Sequence, residues 1–270
     1  MTKVQQFRRL HESGCFVIPN PWDRGSAIFL ESLGFKALAS TSAGFAWSSG
    51  RPDNAITLEQ ALAHLEEITA AVSVPVNADF EGGFAVDPEG VAANVARAVQ
   101  TGIAGLSIED SSGDPANPLL DFALSVERME AARAAIDTSG TGVLLTGRSE
   151  GFFVGRPDLK ETIRRLEAYA AAGADVLYAP SIRSKEDIAA VVKAVAPKPL
   201  NLLMPGNWMT VADAAALGVR RISTGGALAR TAWNAFASTA KDIAENGSFA
   251  GLAAPKDPVN LNALFRERLR

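Results

Sequence analysis

Cysteine and histidine are nearly absent from this chain of 270 residues, which holds one Cys, Cys15, and two His, His11 and His64. A single thiol can form neither an intramolecular disulfide nor a thiolate metal site. His11 stands at the end of an N-terminal helical stretch and His64 in another helical run among surface-type residues. Both read as surface or packing residues, so a His-ligated zinc and a Ser-His-Asp triad are set aside. Long apolar runs are missing too, and none approaches the ~18 residues needed to cross a bilayer. Basic excess is lacking: 26 Lys and Arg against 30 Asp and Glu give a net charge of −4, without the basic stripe that nucleic acid requires. The first ten residues have no apolar core of a secretory signal, and a cytoplasmic protein is the expectation. Val4, Phe7 and Leu10 there have helical spacing instead. The chemistry left to the chain is that of carboxylates, arginines, amides and hydroxyls.

With 47% hydrophobic and 21% charged residues, the chain can bury a full core. Strand-like runs occur at Phe16–Pro19, Ala37–Thr41, Val74–Asp79, Gly105–Glu109, Val143–Arg148, Val176–Pro180, Pro199–Met204 and Arg221–Thr224. Most are rich in Val, Ile and Leu without strict alternation, as strands covered on both faces require. Helical runs separate them, among them Thr57–Val72, Pro88–Thr101, Ser125–Ile136, Leu159–Ala172, Lys185–Val195 and Val211–Leu217. Asp87, Ser125 and Ser184 stand where N-caps belong, and Gly102, Gly173 and Gly218 where helices end. Eight such units of roughly 30 residues predict an α/β fold, a (β/α)8 TIM barrel. An open doubly wound sheet is the alternative, but no glycine-rich dinucleotide fingerprint follows the first strand. Residues 1–246 form the expected barrel domain with its N-terminal helix. Residues 247–270 form a tail whose Val259–Leu269 segment reads as a short apolar-faced helix for covering this barrel or a neighbouring subunit.

Active sites of such barrels form at the C-terminal ends of the strands. Those ends read Ser40-Thr-Ser-Ala-Gly44, Asn77-Ala-Asp-Phe-Glu-Gly-Gly83, Ser107-Ile-Glu-Asp110 and Thr146-Gly-Arg-Ser-Glu150. Asp79, Glu81, Glu109 and Glu150 would crowd negative charge on one rim, where carboxylates raise one another's pKa. A hard divalent cation, Mg²⁺ or Mn²⁺, would resolve this with oxygen ligands alone; pairing with arginines is the other solution. Arg148 offers a fork for a substrate carboxylate or phosphonate, or a salt bridge to Glu109 or Glu150. No lysine sits at a strand's C-terminal end, which disfavours a Schiff-base aldolase. The Ser223-Thr-Gly-Gly-Ala227 turn resembles a phosphate cradle at a helix start, or equally a tight strand-to-helix packing turn.

From about Phe7 to Phe236 the chain resembles the isocitrate lyase/phosphoenolpyruvate mutase superfamily. The segments that carry the resemblance are Pro19-Asn-Pro-Trp-Asp23, Thr41-Ser-Ala-Gly44, Asn77–Gly83, Ser107–Asp110, Gly147–Glu150 and Gly218–Gly226. The resemblance implies a barrel that exchanges its last helix within a homodimer or homotetramer. It implies Mg²⁺ at the positions of Asp79, Glu81 and Glu109, and a small 2-oxo acid or its enol as substrate. Thr41, Ser42 and Ala43 would bind the far anionic end of that substrate, Arg148 would contact it, and Asp53 would stand near the site. Charge developing on an enolate after C–C or P–C cleavage would be met by the cation and Arg148.

Departures from the family pattern narrow the reaction. Lyases of the family carry a Lys-Lys-Cys-Gly-His loop after strand 4; here residues 109–118 contain neither cysteine nor lysine, and Cys15 precedes strand 1. Mutase-like members place a lysine and an asparagine in that loop. Asn117 has the matching spacing, whereas Pro115 falls at the lysine, and a histidine after strand 6 is replaced around Ala179-Pro180. The expectation is a Mg²⁺-dependent lyase, decarboxylase or hydrolase of a small 2-oxo acid, with Glu109, Arg148, Asn117 and Asp53 as its catalytic set. The alternatives are a phosphonomutase acting on a phosphonate and a non-catalytic binder of 2-oxo acids.

Overall fold

A computed structural model describes residues 1–253 and 257–267. Its strands are β1 (Phe16–Ile18), β2 (Leu38–Ala39), β3 (Val76–Asp79), β4 (Gly105–Glu109), β5 (Leu144–Arg148), β6 (Val176–Tyr178), β7 (Leu200–Leu203) and β8 (Arg221–Ser223). All pair in parallel in the order β1-β8-β7-β6-β5-β4-β3-β2. The remaining gap is bridged by the Ala39 N–H, which donates to the Pro19 carbonyl at 3.0 Å. Consecutive order and this closure make a (β/α)8 barrel and exclude the doubly wound alternative.

The helices are α1 (Lys3–Leu10), α2 (Arg24–Ser32), α3 (Ser42–Ser48), α4 (Leu58–Ala71), α5 (Pro88–Ala98), α6 (Phe122–Ser139), α7 (Leu159–Ala171), α8 (Lys185–Val195), α9 (Val211–Ala216), α10 (Ala227–Asn246) and α11 (Leu261–Glu267). Asp87 and Ser184 cap α5 and α8 as expected. Helix α6 begins earlier than its periodicity predicts, because the Asp121 carboxylate accepts from the N–H groups of Ala123 and Leu124. Ser125 lies inside the helix, its hydroxyl donating to the Asp121 carbonyl. The tail helix is described only to Glu267, so Leu269 lies outside the described residues.

Helix α1 plugs the N-terminal end of the barrel. Phe7 is fully buried and clusters with Ile18, Ala39, Ala104, Leu144 and Val176. A Cβ on Gly105 would meet both the Phe7 ring and Asn77 Oδ1 at 2.7 Å, so only glycine lets plug and wall approach this closely. His11 joins the plug edge-on to Phe7 and Phe16, and its Nδ1–H donates to the Phe7 carbonyl. His64, read as a surface or packing residue, is a packing one: it is buried and stacks on Phe45 with ring centroids 3.8 Å apart. It is a core residue because α4 turns that face onto α3. Burial holds both histidines neutral, His11 down to about 3 and His64 to about 4.

Helix α10 departs from the usual outer ring. Ala229 is its one buried residue, and Trp233 and Phe236 are exposed at 42% and 63%. Helix α11 returns to the barrel, where Phe265 stands against Gly25 of α2. Among the described residues no helix is long and apolar enough to cross a membrane.

Candidate active site

Side chains at the C-terminal strand ends converge on a cavity of about 250 Å³. Arg148, at the end of β5, is its electrostatic centre. Nη1 meets Asp79 Oδ1 at 2.7 Å, Nη2 meets Glu109 Oε2 at 2.9 Å, and Nε meets Glu150 Oε1 at 3.0 Å. The three carboxylates come from β3, from β4 and from the loop after β5, so one guanidinium laces a third of the barrel rim. It cannot neutralise three acids at once. Burial, only partly offset by Arg148, holds Glu109 above the ordinary carboxylate range and takes Glu150 to about 8. Arg148 stays firmly charged, because Glu109, Glu150 and Asp79 together outweigh its own burial.

Further contacts hold these acids in place. Asp79 Oδ2 accepts from both the backbone N–H and the hydroxyl of Ser42, at 3.0 and 2.8 Å, at the first residue of α3. Thr41 caps that helix through the Gly44 N–H. A Cβ on Gly44 would press on Thr41 Cγ2 at 2.7 Å and on Trp22 Cβ at 2.9 Å, so glycine lets the start of α3 seat against the barrel. Buried Asp110 ties β4 to the Glu150 loop. Its Oδ1 accepts from the Glu150 N–H at 2.7 Å, and its Oδ2 accepts from Tyr169 Oη at 2.6 Å and Arg165 Nη1 at 3.0 Å. Arg128 reaches from α6 to the carbonyls of Glu109, Gly82 and Ala85, clamping the loop after β3.

Most of the residues expected at the site do meet there. Thr41, Ser42, Ala43, Asp53, Asp79, Glu109, Arg148 and Glu150 all line the cavity. Burial, with Asp79 adding to it, raises the Asp53 carboxyl above its usual range. Glu81 is close enough to feel Asp79 and Glu109 but does not line the cavity. Its backbone is left-handed, at φ 47°, and its Oε1 is buried without a hydrogen-bond partner. Burial first, then Asp79 and Glu109, push Glu81 up to about 8. Asn117 stands away from the cavity, exposed, with its amide donating to Asp114 Oδ2 at 3.4 Å. The turn after β8 is not an open phosphate cradle either, because the Thr224 and Gly225 N–H groups both donate to Asn20 Oδ1 at 2.9 Å.

Among the lining residues that escaped the sequence reading are Tyr178, Asn201, Arg221 and Arg230. Alternation along β6 from buried Val176 would have flagged Tyr178 as inward-facing. Arg221 shares its face of β8 with Ser223, two positions on, so the same alternation applies to it, whereas Arg230 carries no local signal among the alanines of α10.

The donor set can be weighed for a cation. Among the described residues no three His, Cys, Asp or Glu side chains are gathered into a metal cage. Mg²⁺, however, keeps several waters and uses only one or two carboxylates directly. The orphaned, buried Glu81 oxygen beside Asp79 and Glu109, and the excess of acids over Arg148, fit a hard cation bound largely through water.

Residues 7–244 match the family described as phosphoenolpyruvate phosphomutase. The oxaloacetate decarboxylase of Paraburkholderia xenovorans LB400 is 31% identical over 236 residues, covering 80% of this chain and 74% of the relative. A chain from Burkholderia cenocepacia J2315, provisionally assigned as a lyase/mutase, superposes with a TM-score of 0.94 at 44% identity, covering 98% of this chain and 96% of that one. An oxaloacetate acetylhydrolase solved with its product oxalate superposes with a TM-score of 0.85 at 28% identity, over 97% of this chain and 93% of that one.

Proposed function

The chain belongs to the phosphoenolpyruvate phosphomutase family within the isocitrate lyase superfamily, and from that premise we propose that it cleaves a C–C bond of a small 2-oxo acid through an enolate. One observation carries the reading: Arg148 stands among Asp79, Glu109 and Glu150 at the barrel mouth, next to the start of α3. Relatives that act on oxaloacetate support a dicarboxylic 2-oxo acid as the substrate class.

In this reading the fork of Arg148 holds the oxygen that gains charge as the bond breaks, where low dielectric strengthens the interaction. The Thr41–Ala43 segment, which lines the cavity, receives the remote carboxylate of the substrate. Asp79, with Glu81 and Glu109 through water, would hold Mg²⁺, which when bound supplies Lewis-acid stabilisation of an enolate oxygen. Asp53 faces the same space and keeps the mouth acidic. Residues 110–118 present neither the thiol of the lyases nor the lysine of the mutases, which favours a reaction, such as decarboxylation or hydrolysis, that needs neither group. The apolar side of α10, with Trp233 and Phe236, is read as the surface covered by a second copy, in line with the helix exchange that the resemblance implies. A cytoplasmic enzyme remains the expectation.

The experiment is turnover of oxaloacetate by the purified protein, with Mg²⁺ and with EDTA. Metal-dependent consumption, abolished in Asp79→Ala, is expected. Binding of 2-oxo acids without turnover of any member of a panel that includes phosphonopyruvate would leave a binding protein and end the enzyme reading.

A further inference from the structure

A chain of hydrogen bonds runs up the inner wall of the barrel and ends at the cavity. It starts at Arg221 on β8, which is 3% exposed and has no carboxylate within salt-bridge distance among the described residues. Guanidinium groups only donate, and Arg221 Nε–H donates to Asn201 Oδ1 at 2.8 Å. That contact fixes the orientation of the Asn201 amide, so Asn201 Nδ2 donates to Ser223 Oγ at 2.9 Å. Ser223 stands beside the Tyr178 hydroxyl, where it favours the phenolate.

The protons can be counted. Ser223 already accepts one from Asn201, which leaves its own hydroxyl proton to be turned towards the Tyr178 oxygen. One proton is left for the cavity, which both residues line. A phenol is a far stronger acid than an alcohol, with an unperturbed pKa of about 10, so the transferable proton is that of Tyr178. Tyr178 pairs in register with Arg148 across β5 and β6, and the Arg148 guanidinium lies 5.2 Å from the centre of its ring. No His, Cys or Lys lines the cavity among the described residues, and Glu150 is engaged on Arg148.

We propose that Tyr178 is a catalytic proton donor, delivering its hydroxyl proton to the carbon of a pyruvate-type enolate formed in this cavity. In the step the Oη–H bond breaks, and the π pair of the enolate forms the new C–H bond. The O–H pair stays on the phenolate, which the neighbouring Ser223 hydroxyl can meet with a hydrogen bond and which has the Arg148 guanidinium over its ring. Water entering at the mouth then returns a proton to Tyr178. Arg221 and Asn201 are positioning residues: they set the direction of the chain and do not touch the substrate. Burial holds the Tyr178 hydroxyl well above its usual pKa, which keeps it protonated between turnovers.

The proposal rests on the enolate reading above, and its test separates the two. Exchange of the methyl protons of pyruvate in D₂O with Mg²⁺, followed by ¹H NMR, reports carbon protonation; CO₂ release from oxaloacetate reports bond cleavage. Tyr178→Phe is expected to slow exchange by about a hundredfold or more, the range of a lost general acid, while CO₂ release falls less than about tenfold. Ser223→Ala, a smaller change at the neighbouring position, is expected to slow exchange by about tenfold with the same separation from cleavage. If both activities fall in parallel in Tyr178→Phe, or if exchange persists within about threefold, the proton-donor role is wrong and the enolate reading stands. A wild-type protein inert in both assays overturns the enolate reading and the role of Tyr178 with it.

Discussion

Replacing Arg148 with methionine keeps most of the aliphatic bulk and removes the one cation in contact with Asp79, Glu109 and Glu150 among the described residues. Three charge-assisted contacts of 2.7, 2.9 and 3.0 Å are lost, each worth about 1.5–3 kcal/mol in isolation. Simple addition overstates the cost, because the buried guanidinium no longer has to be desolvated. The governing quantity is the penalty for leaving buried acids without their partner, about 3–5 kcal/mol. For a domain of this size that lowers Tm by about 6–20 °C. The sign of its pH dependence follows from the raised carboxylates. Glu150 titrates near 8 in the folded protein even with Arg148 present, against about 4.3 in an unfolded chain. The folded state therefore binds more protons between those values and gains stability as pH falls through 8. Losing Arg148 raises the folded values further, so Arg148→Met should be closer to the parent in Tm at pH 6 than at pH 8.5. Thermal unfolding by circular dichroism in EDTA at both pH values measures this. Millimolar Mg²⁺ should raise Tm more in the variant than in the parent. A fall in Tm of less than about 2 °C at pH 8.5 would refute the idea that Arg148 is the counter-ion on which the site depends.

His64→Phe tests acid sensitivity. Burial lowers the folded pKa of His64 to about 4 against about 6.5 unfolded, so its contribution is present above pH 6.5 and is lost as pH falls towards 4. The variant should lose about 2 kcal/mol less than the parent between pH 7 and pH 5 in urea titrations; an equal loss would show that His64 is not held neutral. Asp110→Asn keeps the shape but removes the charge facing Arg165 and weakens the seat of the Glu150 N–H. It is expected to cost about 2–4 kcal/mol and to lower kcat, and a variant as stable and active as the parent would contradict the tie between the two loops. Gly44→Val forces a side chain into Thr41 and Trp22, at about 1–3 kcal/mol. Substrate KM should rise with the displaced start of α3, whereas an unchanged KM with lowered stability would separate α3 from binding. Phe236→Glu, on exposed α10, should yield a smaller species by light scattering, and an unchanged mass would exclude this face from assembly.

The barrel and the position of its working rim were legible in the sequence alone. Apolar runs of strand length alternating with capped helices leave few other closed arrangements. Acids and an arginine placed at the C-terminal ends of β3, β4 and β5 must then face one mouth, so Asp79, Glu109, Arg148 and the Thr41–Ala43 segment were found from periodicity and position. The spacing of Val4, Phe7 and Leu10 also gave the N-terminal helix, whose Phe7 is the residue that α1 buries. The sequence reading named Glu109 and Glu150 as partners of Arg148, and both pair with it, but it did not name Asp79, 69 positions away. Nor could it tell that Asn117 would bond to Asp114 instead of entering the cavity, or that the left-handed backbone at Glu81 would leave that residue outside the cavity lining. His64 stayed open between surface and packing, because Glu66 and Glu67 follow it closely while its own face meets Phe45 on another helix. The run from Arg221 through Asn201 and Ser223 to Tyr178 crosses three strands distant in sequence. Periodicity fixes which way a side chain points from its own element; closure of the sheet decides what it meets, and here that set the direction of a proton.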